Sequence, residues 1–381
     1  MTTPEKDVEN QDEDGKKQQK AEKANPGDQE KMKRNYKTYI GMSFRHGMSV
    51  DDITLSHIEK AHQNMKDLSS TLFIETPLVH GMENRLRGEI PNVDSLSLKL
   101  ECLQSTGSFK IRGVVNQFLN LRDKDRQKKR TLVTMSAGNY GKAFAFVSNQ
   151  EHMPGVVYMP NEAPKDRQTT IESYGCTVNR SPVQQLVENV NNEIERTDGM
   201  YFHSYDDPFL ILGNASAGME LMAQTSRQQQ PDIVLVCCGG GGLCAGVAAA
   251  LKLSDGWQNT RIYGVEAENV PKMYEALKAD GPVLFNRKPT IATGLAPPTA
   301  GEMTYKMIKK YTEGILLVSE DELKRAMKTL FSLGLVVEPS GAAAFAALQS
   351  NKVPEAEGKK VTVIVTGGNV TLKDLTQHIG L

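Results

Sequence analysis

Four consecutive glycines, Gly239, Gly240, Gly241 and Gly242, stand between an apolar run and a stretch of helical periodicity. Because glycine has no side chain, such a turn exposes backbone N–H groups at the positive end of a helix dipole, which favours a bound phosphate. A turn that only lets strand and helix pack closely is the alternative. The spacing departs from G-x-G-x-x-G and lacks the Lys-Ser/Thr of a P-loop, so it predicts a mononucleotide or phosphorylated cofactor.

A lysine, Lys110, opens another helical pattern directly after the Gly-Ser turn in TGSFKIRG. A lysine that is removed from water can lose its proton and act as a nucleophile or a base. Taken alone, a solvated surface charge is the ordinary interpretation of such a residue.

A third segment, SAGNYG, follows the apolar run TLVTM and contains Asn139. Successive N–H groups in a strand-to-helix turn can bind a carboxylate, and an asparagine amide can bind an aromatic hydroxyl. An ordinary turn with an asparagine cap is the alternative. Two further turns of small residues are EPSGA, from Glu338, and TGGN, from Thr366.

Strand-sized apolar runs alternate with helical patterns along most of the chain, as is typical of βαβ units in an α/β fold. Ser56 with Glu59, and Ser319 with Glu322, have the form of capping boxes at helix starts. The predicted strands cover residues 96–102, 131–135, 156–159, 233–237, 262–265, 315–318 and 361–365.

The composition of the 381 residues restricts the class of protein. With 45 basic and 46 acidic side chains, the net charge of -1 argues against a nucleic-acid partner. No apolar stretch reaches the ~20 residues of a membrane-spanning helix. The five cysteines form no C-x-x-C pair, which predicts reduced thiols in the cytoplasm and no structural zinc. Residues 1–46 are predicted to be a disordered tail.

Five motifs occur in the order TGSFKIRG, SAGNYG, GGGGL, EPSGA and TGGN. In this order they resemble the serine/threonine dehydratase and serine racemase family of fold-type II pyridoxal-phosphate enzymes, from about Ile53 to near the C-terminus. The resemblance implies a tryptophan synthase β-like α/β fold of two open twisted domains with the active site in the cleft. The implied large domain comprises residues 47–130 and 206–381, and the small domain residues 131–205.

The resemblance also implies roles for the motif residues. Lys110 would bind pyridoxal 5'-phosphate covalently and then remove the substrate α-proton, while Asn139 would hydrogen-bond the ring hydroxyl of the cofactor. Thr366 would face the ring nitrogen with a hydroxyl, which favours quick loss of a β-leaving group. The other implied cofactor contacts are Phe109, Gly239, Gly240, Gly241, Gly242, Leu243 and Glu338. The implied substrate contacts, mostly backbone N–H groups, are Ser136, Ala137, Gly138, Asn139 and Tyr140.

Several residues depart from the family pattern. Ala137 stands where the racemases carry a serine, which implies elimination without efficient racemisation. Tyr140 replaces a histidine, which leaves the preferred substrate open. Thr293 replaces an aspartate, a change for which the sequence offers no physical account. The segment Gly213-Asn214-Ala215-Ser216 replaces a GQGT-like turn.

One departure concerns a metal site. Glu266 matches the first ligand of the divalent cation that racemase-like members bind, but Lys272 stands where the second carboxylate would be. We expect no metal here and predict that the Lys272 ammonium pairs with Glu266 in its place. An exposed lysine beside an unrelated glutamate is the alternative.

The resemblance implies a lyase that removes water from L-serine or L-threonine and releases a 2-oxo acid and ammonia. Racemisation, or elimination from a bulkier 3-hydroxy amino acid, are the alternatives within the same chemistry. A catalytically silent protein that binds the cofactor or an amino acid is the alternative of another class. The expected partners are an amino-acid substrate and a second copy of the chain, with no nucleic acid and no membrane.

Overall fold

The computed structural model describes residues 47–68, 72–284 and 288–380, and the predicted N-terminal tail lies outside them. The strands are β1 (Leu78–Val79), β2 (Ser95–Leu100), β3 (Leu132–Met135), β4 (Gly155–Pro160), β5 (Thr177–Ser181), β6 (Met200–Phe202), β7 (Ile233–Cys237), β8 (Arg261–Ala267), β9 (Gly314–Val318) and β10 (Lys360–Val365). The helices are α1 (Leu55–Lys66), α2 (Lys110–Leu119), α3 (Asp123–Gln127), α4 (Asn139–Gln150), α5 (Lys165–Ser173), α6 (Leu186–Thr197), α7 (Pro208–Gln224), α8 (Gly242–Leu253), α9 (Lys272–Lys278), α10 (Glu302–Tyr311), α11 (Glu320–Ser332), α12 (Pro339–Gln349) and α13 (Leu372–Ile379).

The strands form two sheets. The first has the order β1-β2-β10-β7-β8-β9, in which only the β1–β2 pair is antiparallel. The second has the order β5-β4-β3-β6, and all its pairs are parallel. Parallel neighbours need crossover connections, which the helices between the strands supply. The α/β class predicted from the sequence is confirmed.

Strand β7 lies in the middle of the first sheet and is buried on both faces. Val234 and Val236 enter a core shared with α7 and α8, whereas Ile233 and Leu235 enter a second core shared with α12. A strand that is covered on both sides needs apolar residues at every position, which explains the continuous run IVLVC. This strand delivers the glycine loop to the centre of the molecule.

The start of α1 differs from the prediction. Thr54 is the N-cap residue, and its Oγ1 accepts a hydrogen bond from the His57 N–H at 3.4 Å. The capping box predicted at Ser56 with Glu59 is therefore wrong. Thr54 has the extended backbone that a cap requires (φ -113°), and Ser56 already lies in the first helical turn.

The first and last residues of the seven predicted strands agree with the structure to within two residues. The capping box of Ser319 and Glu322 is confirmed at the start of α11. Strands β1, β5 and β6 were not predicted because two of them are very short and β5, with the sequence TVNRS, has little apolar character. Among the described residues, no helix is long and apolar enough to cross a membrane.

Candidate active site

A cavity of about 750 Å³ lies at the carboxyl ends of strands from both sheets. The segments that line it follow directly after β3, β7 and β10, where ligand sites of parallel sheets lie. It brings together every residue that the sequence predicted for cofactor or substrate: Phe109, Lys110, Ser136, Ala137, Gly138, Asn139, Tyr140, Gly239, Gly240, Gly241, Gly242, Leu243, Glu338 and Thr366.

The glycine loop joins β7 to the N-terminus of α8. Gly241 has φ +102°, a backbone conformation that residues other than glycine rarely adopt. A methyl group on Gly240 would lie 2.1 Å from Cγ of Tyr205. Within the described part of the chain, the backbone N–H groups of residues 239–243 donate no hydrogen bond. Several unpaired donors at a helix N-terminus form a site for an anion such as phosphate.

Lys110 is the first residue of α2, and its Nζ donates a hydrogen bond to the Ser204 carbonyl at 3.1 Å. Burial lowers the pKa of this amine to about 8, and the negative charge of Glu338 only partly opposes the shift. Beside it, burial and the positive charge of Lys110 lower the pKa of His203 to about 3, so this imidazole stays neutral. The lysine therefore has an appreciable neutral fraction near physiological pH.

The turn that precedes α4 is organised by Ser136. Its Oγ accepts hydrogen bonds from the N–H groups of Gly138 at 3.4 Å and Gly141 at 3.0 Å, while its own N–H donates to the Tyr158 carbonyl at 3.0 Å. The N–H of Ser136 is therefore already paired. A carboxylate that binds at this turn would have to use N–H groups further along it, at the positive end of α4.

Tyr140 forms part of the cavity wall, but its hydroxyl points into the core. Only 2% of its surface is exposed, and its Oη donates to Oε1 of Gln117 at 2.7 Å. The ring stacks on Phe144 with a centroid separation of 6.4 Å. The aromatic side chain at this position is thus held by Gln117 of α2 and by Phe144 of its own helix, α4.

Asn139 and Glu338 meet across the cavity. The Asn139 amide donates a hydrogen bond to Glu338, and its Oδ1 accepts one from Nδ2 of Asn369 at 2.9 Å. Burial raises the pKa of Glu338 to about 7, although the Asn139 hydrogen bond and nearby cations oppose the shift. Thr366 is 3% exposed, and its carbonyl accepts a hydrogen bond from the Phe109 N–H at 3.1 Å.

The family resemblance implied a turn at residues 213–216. This prediction is wrong, because the segment lies inside α7. A methyl group on Gly213 would lie 2.4 Å from the Arg112 carbonyl. The glycine therefore permits the close approach of α7 to α2.

Lys272 and Glu266 are fully buried and form the predicted ion pair, with 2.6 Å between Lys272 Nζ and Glu266 Oε1. The carboxylate also accepts hydrogen bonds from the N–H groups of Met273 and Tyr274 at 3.0 to 3.1 Å. The Val270 carbonyl accepts a second hydrogen bond from Lys272 at 3.3 Å. The pair lies outside the residues that line the cavity.

Several residues of the cavity were not predicted as site residues from the sequence, among them Tyr205, Ser340 and Arg167. Tyr205 covers Gly240, Ser340 accepts a hydrogen bond from the Gly294 N–H at 2.8 Å, and Arg167 reaches across to Thr293. Ser340 lies within the EPSGA motif, but no role was predicted for it. No motif surrounds Tyr205 or Arg167, and contacts between elements that are distant in sequence place them at the site.

The arrangement of a lysine and a phosphate-type loop in one cavity agrees with the family comparison. The sequence matches the family described as pyridoxal-phosphate dependent enzyme over residues 70–367. The chain belongs to this family. Its cofactor is pyridoxal 5'-phosphate.

Relatives in this family match more than four fifths of the chain. An L-threonine ammonia-lyase of Thermotoga maritima is 32% identical, with 86% of this chain and 78% of the relative covered. A catabolic L-threonine dehydratase of Staphylococcus aureus is 34% identical, with 86% and 92% covered. The crystal structure of a serine racemase from Dictyostelium discoideum is 32% identical and superimposes with a TM-score of 0.74, covering 84% of this chain and 99% of the other.

The residues of the cavity fit this cofactor. The unpaired N–H groups of residues 239–243 suit its phosphate, and the room they leave exists only because side chains are absent there. The lowered pKa of Lys110 suits an amine that must attack an aldehyde. Both groups line the same cavity.

Proposed function

We propose that this chain is a pyridoxal-phosphate-dependent ammonia-lyase that removes water from L-threonine or L-serine and releases a 2-oxo acid and ammonia. The observation that carries the proposal is the partly neutral Lys110, which shares one cavity with the unpaired N–H groups of the glycine loop. The activities named for the Thermotoga and Staphylococcus relatives support the same reaction class.

The side chains and the backbone of the site have different roles in the reaction. Bound pyridoxal phosphate supplies an electron sink for the negative charge that develops at the substrate α-carbon. Lys110 holds the cofactor and accepts the proton that leaves this carbon. The N–H groups of residues 239–243 bind the phosphate, and those of Ala137 and Asn139 bind the substrate carboxylate at the N-terminus of α4.

Elimination is favoured over racemisation by the chemistry of two positions. Ala137 carries a methyl group, which has no proton to return to the opposite face of the α-carbon. Thr366 lines the cavity, and its side chain offers a hydroxyl, which does not hold a proton on a ring nitrogen as a carboxylate would. Measurement of D-serine formation from L-serine tests this assignment, and we expect ammonia to exceed D-serine strongly.

We also propose the two-domain division into residues 47–130 with 206–381, and residues 131–205. It is supported by the second sheet, whose four strands all lie between Leu132 and Phe202. The Asn139–Glu338 hydrogen bond joins the two parts across the cleft. Closure of such a cleft around the substrate would exclude water.

We propose further that the Lys272 ammonium replaces a divalent cation. The support is its burial and its 2.6 Å contact with Glu266, which neutralises the carboxylate without a metal. Turnover before and after treatment with a chelator tests this role. We expect no change, and inhibition that magnesium or calcium reverses would contradict it.

We propose that the protein forms a homodimer and is located in the cytoplasm. The five cysteines are all free and buried, which fits a reducing compartment. The dimer follows from the family resemblance, and Leu103, Val336 and Leu372, which expose 52%, 48% and 76% of their surface, are candidates for its interface. Light scattering tests the dimer, with twice 42.0 kDa as the expected mass.

Turnover of L-threonine and L-serine to 2-oxo acids tests the reaction itself. We expect activity in the holoenzyme and a loss of roughly 10⁴-fold or more for Lys110→Ala, because residues of this kind act at the reacting atoms. Lys165→Ala is the matched control, since Lys165 is exposed and outside the cavity lining. Cofactor and amino-acid binding without any product would favour the silent binding protein instead.

A further inference from the structure

Arg167, in α5, extends to the mouth of the cavity and touches both of its walls. Its Nη1 donates a hydrogen bond to the Ala137 carbonyl at 3.1 Å, and its Nη2 donates one to Oγ1 of Thr293 at 3.1 Å. A methyl group built on Gly138 would lie 3.7 Å from the same Nη1. The guanidinium therefore lies against the turn at which we place the substrate carboxylate.

Both of these partners are neutral. An arginine has five N–H donors in a planar fork, of which these contacts use two. Within the described ranges, no carboxylate forms an ion pair with Arg167 at 4.0 Å or less, although the positive charge of Arg167 opposes the raised pKa of Glu338. A guanidinium that is partly withdrawn from water and held by neutral acceptors still attracts an anion.

The charged side chains that line the cavity also favour the binding of an anion near Arg167. The cations are Lys110, Arg167 and Lys288, and the carboxylates are Glu162 and Glu338. Glu162 is exposed, and burial gives Glu338 a pKa of about 7, so part of its population is uncharged at neutral pH. The cofactor's phosphate is assigned to the glycine loop, so it does not balance the charge of Arg167.

The α-carboxylate of a substrate has its own donors in the turn before α4, so Arg167 remains for a second anionic group. We propose that Arg167 is a specificity-determining residue, and that the preferred substrate is a 3-hydroxy-2-amino dicarboxylic acid such as 3-hydroxyaspartate. This substrate differs from threonine only in a carboxylate in place of the methyl group. The inference rests on the proposed function, because it names the substrate class of the same site.

The reaction is the same elimination. The Cα–H bond breaks with transfer of the proton to Lys110, and its electron pair forms the Cα–Cβ double bond. The Cβ–O bond breaks, and the departing hydroxide takes the proton back from the Lys110 ammonium and leaves as water. The unsaturated amine that leaves is hydrolysed by one water to the 2-oxo dicarboxylic acid and ammonia. The net change is therefore loss of ammonia alone, with no oxidant or reductant.

Kinetics of the holoenzyme with a matched pair of substrates test the inference. We expect kcat/KM for L-threo-3-hydroxyaspartate to exceed that for L-threonine by roughly tenfold or more, as charge-assisted hydrogen bonds provide. Arg167→Gln should reduce the ratio of these two values by about 30-fold or more, since it removes one partner of a charge pair. Arg167→Lys should restore part of the ratio, because it keeps the charge without the fork.

Lys165→Gln is the control variant, because it removes a like charge two residues away that is exposed and outside the cavity lining. We expect it to leave the ratio unchanged. Equal losses for both substrates in Arg167→Gln, or threonine turnover with none of 3-hydroxyaspartate, would overturn the role of Arg167 and leave the proposed function standing.

Equilibrium binding separates the inference from the reaction. L-Aspartate and L-2-aminobutyrate lack the 3-hydroxyl and cannot lose water, so calorimetry can compare their dissociation constants in the holoenzyme. We expect aspartate to bind more tightly, and Arg167→Gln to weaken aspartate about 30-fold more than 2-aminobutyrate. An equal effect on both ligands would refute the inference, even if no substrate at all were turned over and the proposed function had failed.

Discussion

At the scale of the residue, the reactivity of the site depends on how Lys110 is desolvated. Burial favours the neutral amine, and the neighbouring His203 is itself neutral because its pKa is lowered to about 3. Glu338 faces the amine with a pKa raised to about 7, so it carries a partial negative charge in the same range. The amine and the carboxyl therefore titrate close to the pH of the cell.

The rate at which the apoprotein attaches pyridoxal phosphate should follow the neutral form of Lys110. A pKa lowered from 10.5 to about 8 means that the neutral fraction grows as the pH rises toward and through 8. We expect the rate to rise about tenfold between pH 7 and pH 9 and then to level off. Stopped-flow absorbance measures it, and a rise that continues toward pH 10.5 would show that the amine is not desolvated.

At the scale of the element, the connection from β7 to α8 carries the predicted phosphate site. Its shape depends on the absence of side chains, because Tyr205 and Thr304 lie directly against the loop. The Thr304 hydroxyl donates a hydrogen bond to the Gly240 carbonyl at 2.7 Å, which fixes the loop from its outer side. The backbone N–H groups of residues 239–243 remain available to bind a ligand.

Gly240→Ala should weaken both cofactor binding and the fold. The added methyl group would lie 2.1 Å from Cγ of Tyr205, and overpacking of this kind costs roughly 1–3 kcal/mol in the free energy of unfolding. Urea denaturation and a cofactor titration measure the two effects. Gly281→Ala is the matched control, since nothing lies within 4 Å of a methyl group there, and equal behaviour of the two variants would contradict the packing argument.

Much of the element pattern was predictable, for a physical reason. Strand β7 is buried on both faces and therefore has a continuous apolar run, and β10 departs from one only at Lys360 and Thr362, whereas β5 is too polar to be recognised. The start of α1 was misplaced because Thr54 and Ser56 are both acceptable caps, and only the backbone conformation decides between them. Local sequence does not contain that information.

At the scale of the whole molecule, two sheets bring together segments that are distant in sequence. Beneath the site, Arg112 of α2 binds Glu101 after β2 at 2.6 Å and Glu220 of α7 at 2.7 Å, and Lys99 binds Glu220 at 2.6 Å. All four side chains are at most 1% exposed. This network ties together the elements that carry Lys110, which lies two residues before Arg112.

Arg112→Leu should destabilise the protein strongly, because it leaves two carboxylates buried without their main partner. We expect the free energy of unfolding to fall by about 3–5 kcal/mol in urea denaturation. The control is Arg196→Leu, which removes an arginine that is 70% exposed and pairs with Glu193, and should cost at most about 1 kcal/mol. A loss in Arg112→Leu no larger than in the control would contradict this account of the network.

The motif residues of the site were predictable because each motif is a contiguous turn whose chemistry is local. Arg167, Tyr205 and the partners of Arg112 were not, because their roles arise from contacts between elements that no local pattern records. The hydrogen bond from the Ser136 N–H to the Tyr158 carbonyl was also not predictable, because it depends on the pairing of β3 with β4.

The central claim is that Lys110 holds pyridoxal phosphate in this cavity. The most direct measurement is to reduce the holoenzyme with sodium borohydride, digest it and locate the pyridoxyl group by mass spectrometry. We predict that the group is found on the peptide that contains Lys110. A pyridoxyl group on Lys142, Lys288 or any other lysine, with Lys110 unmodified, would contradict the account.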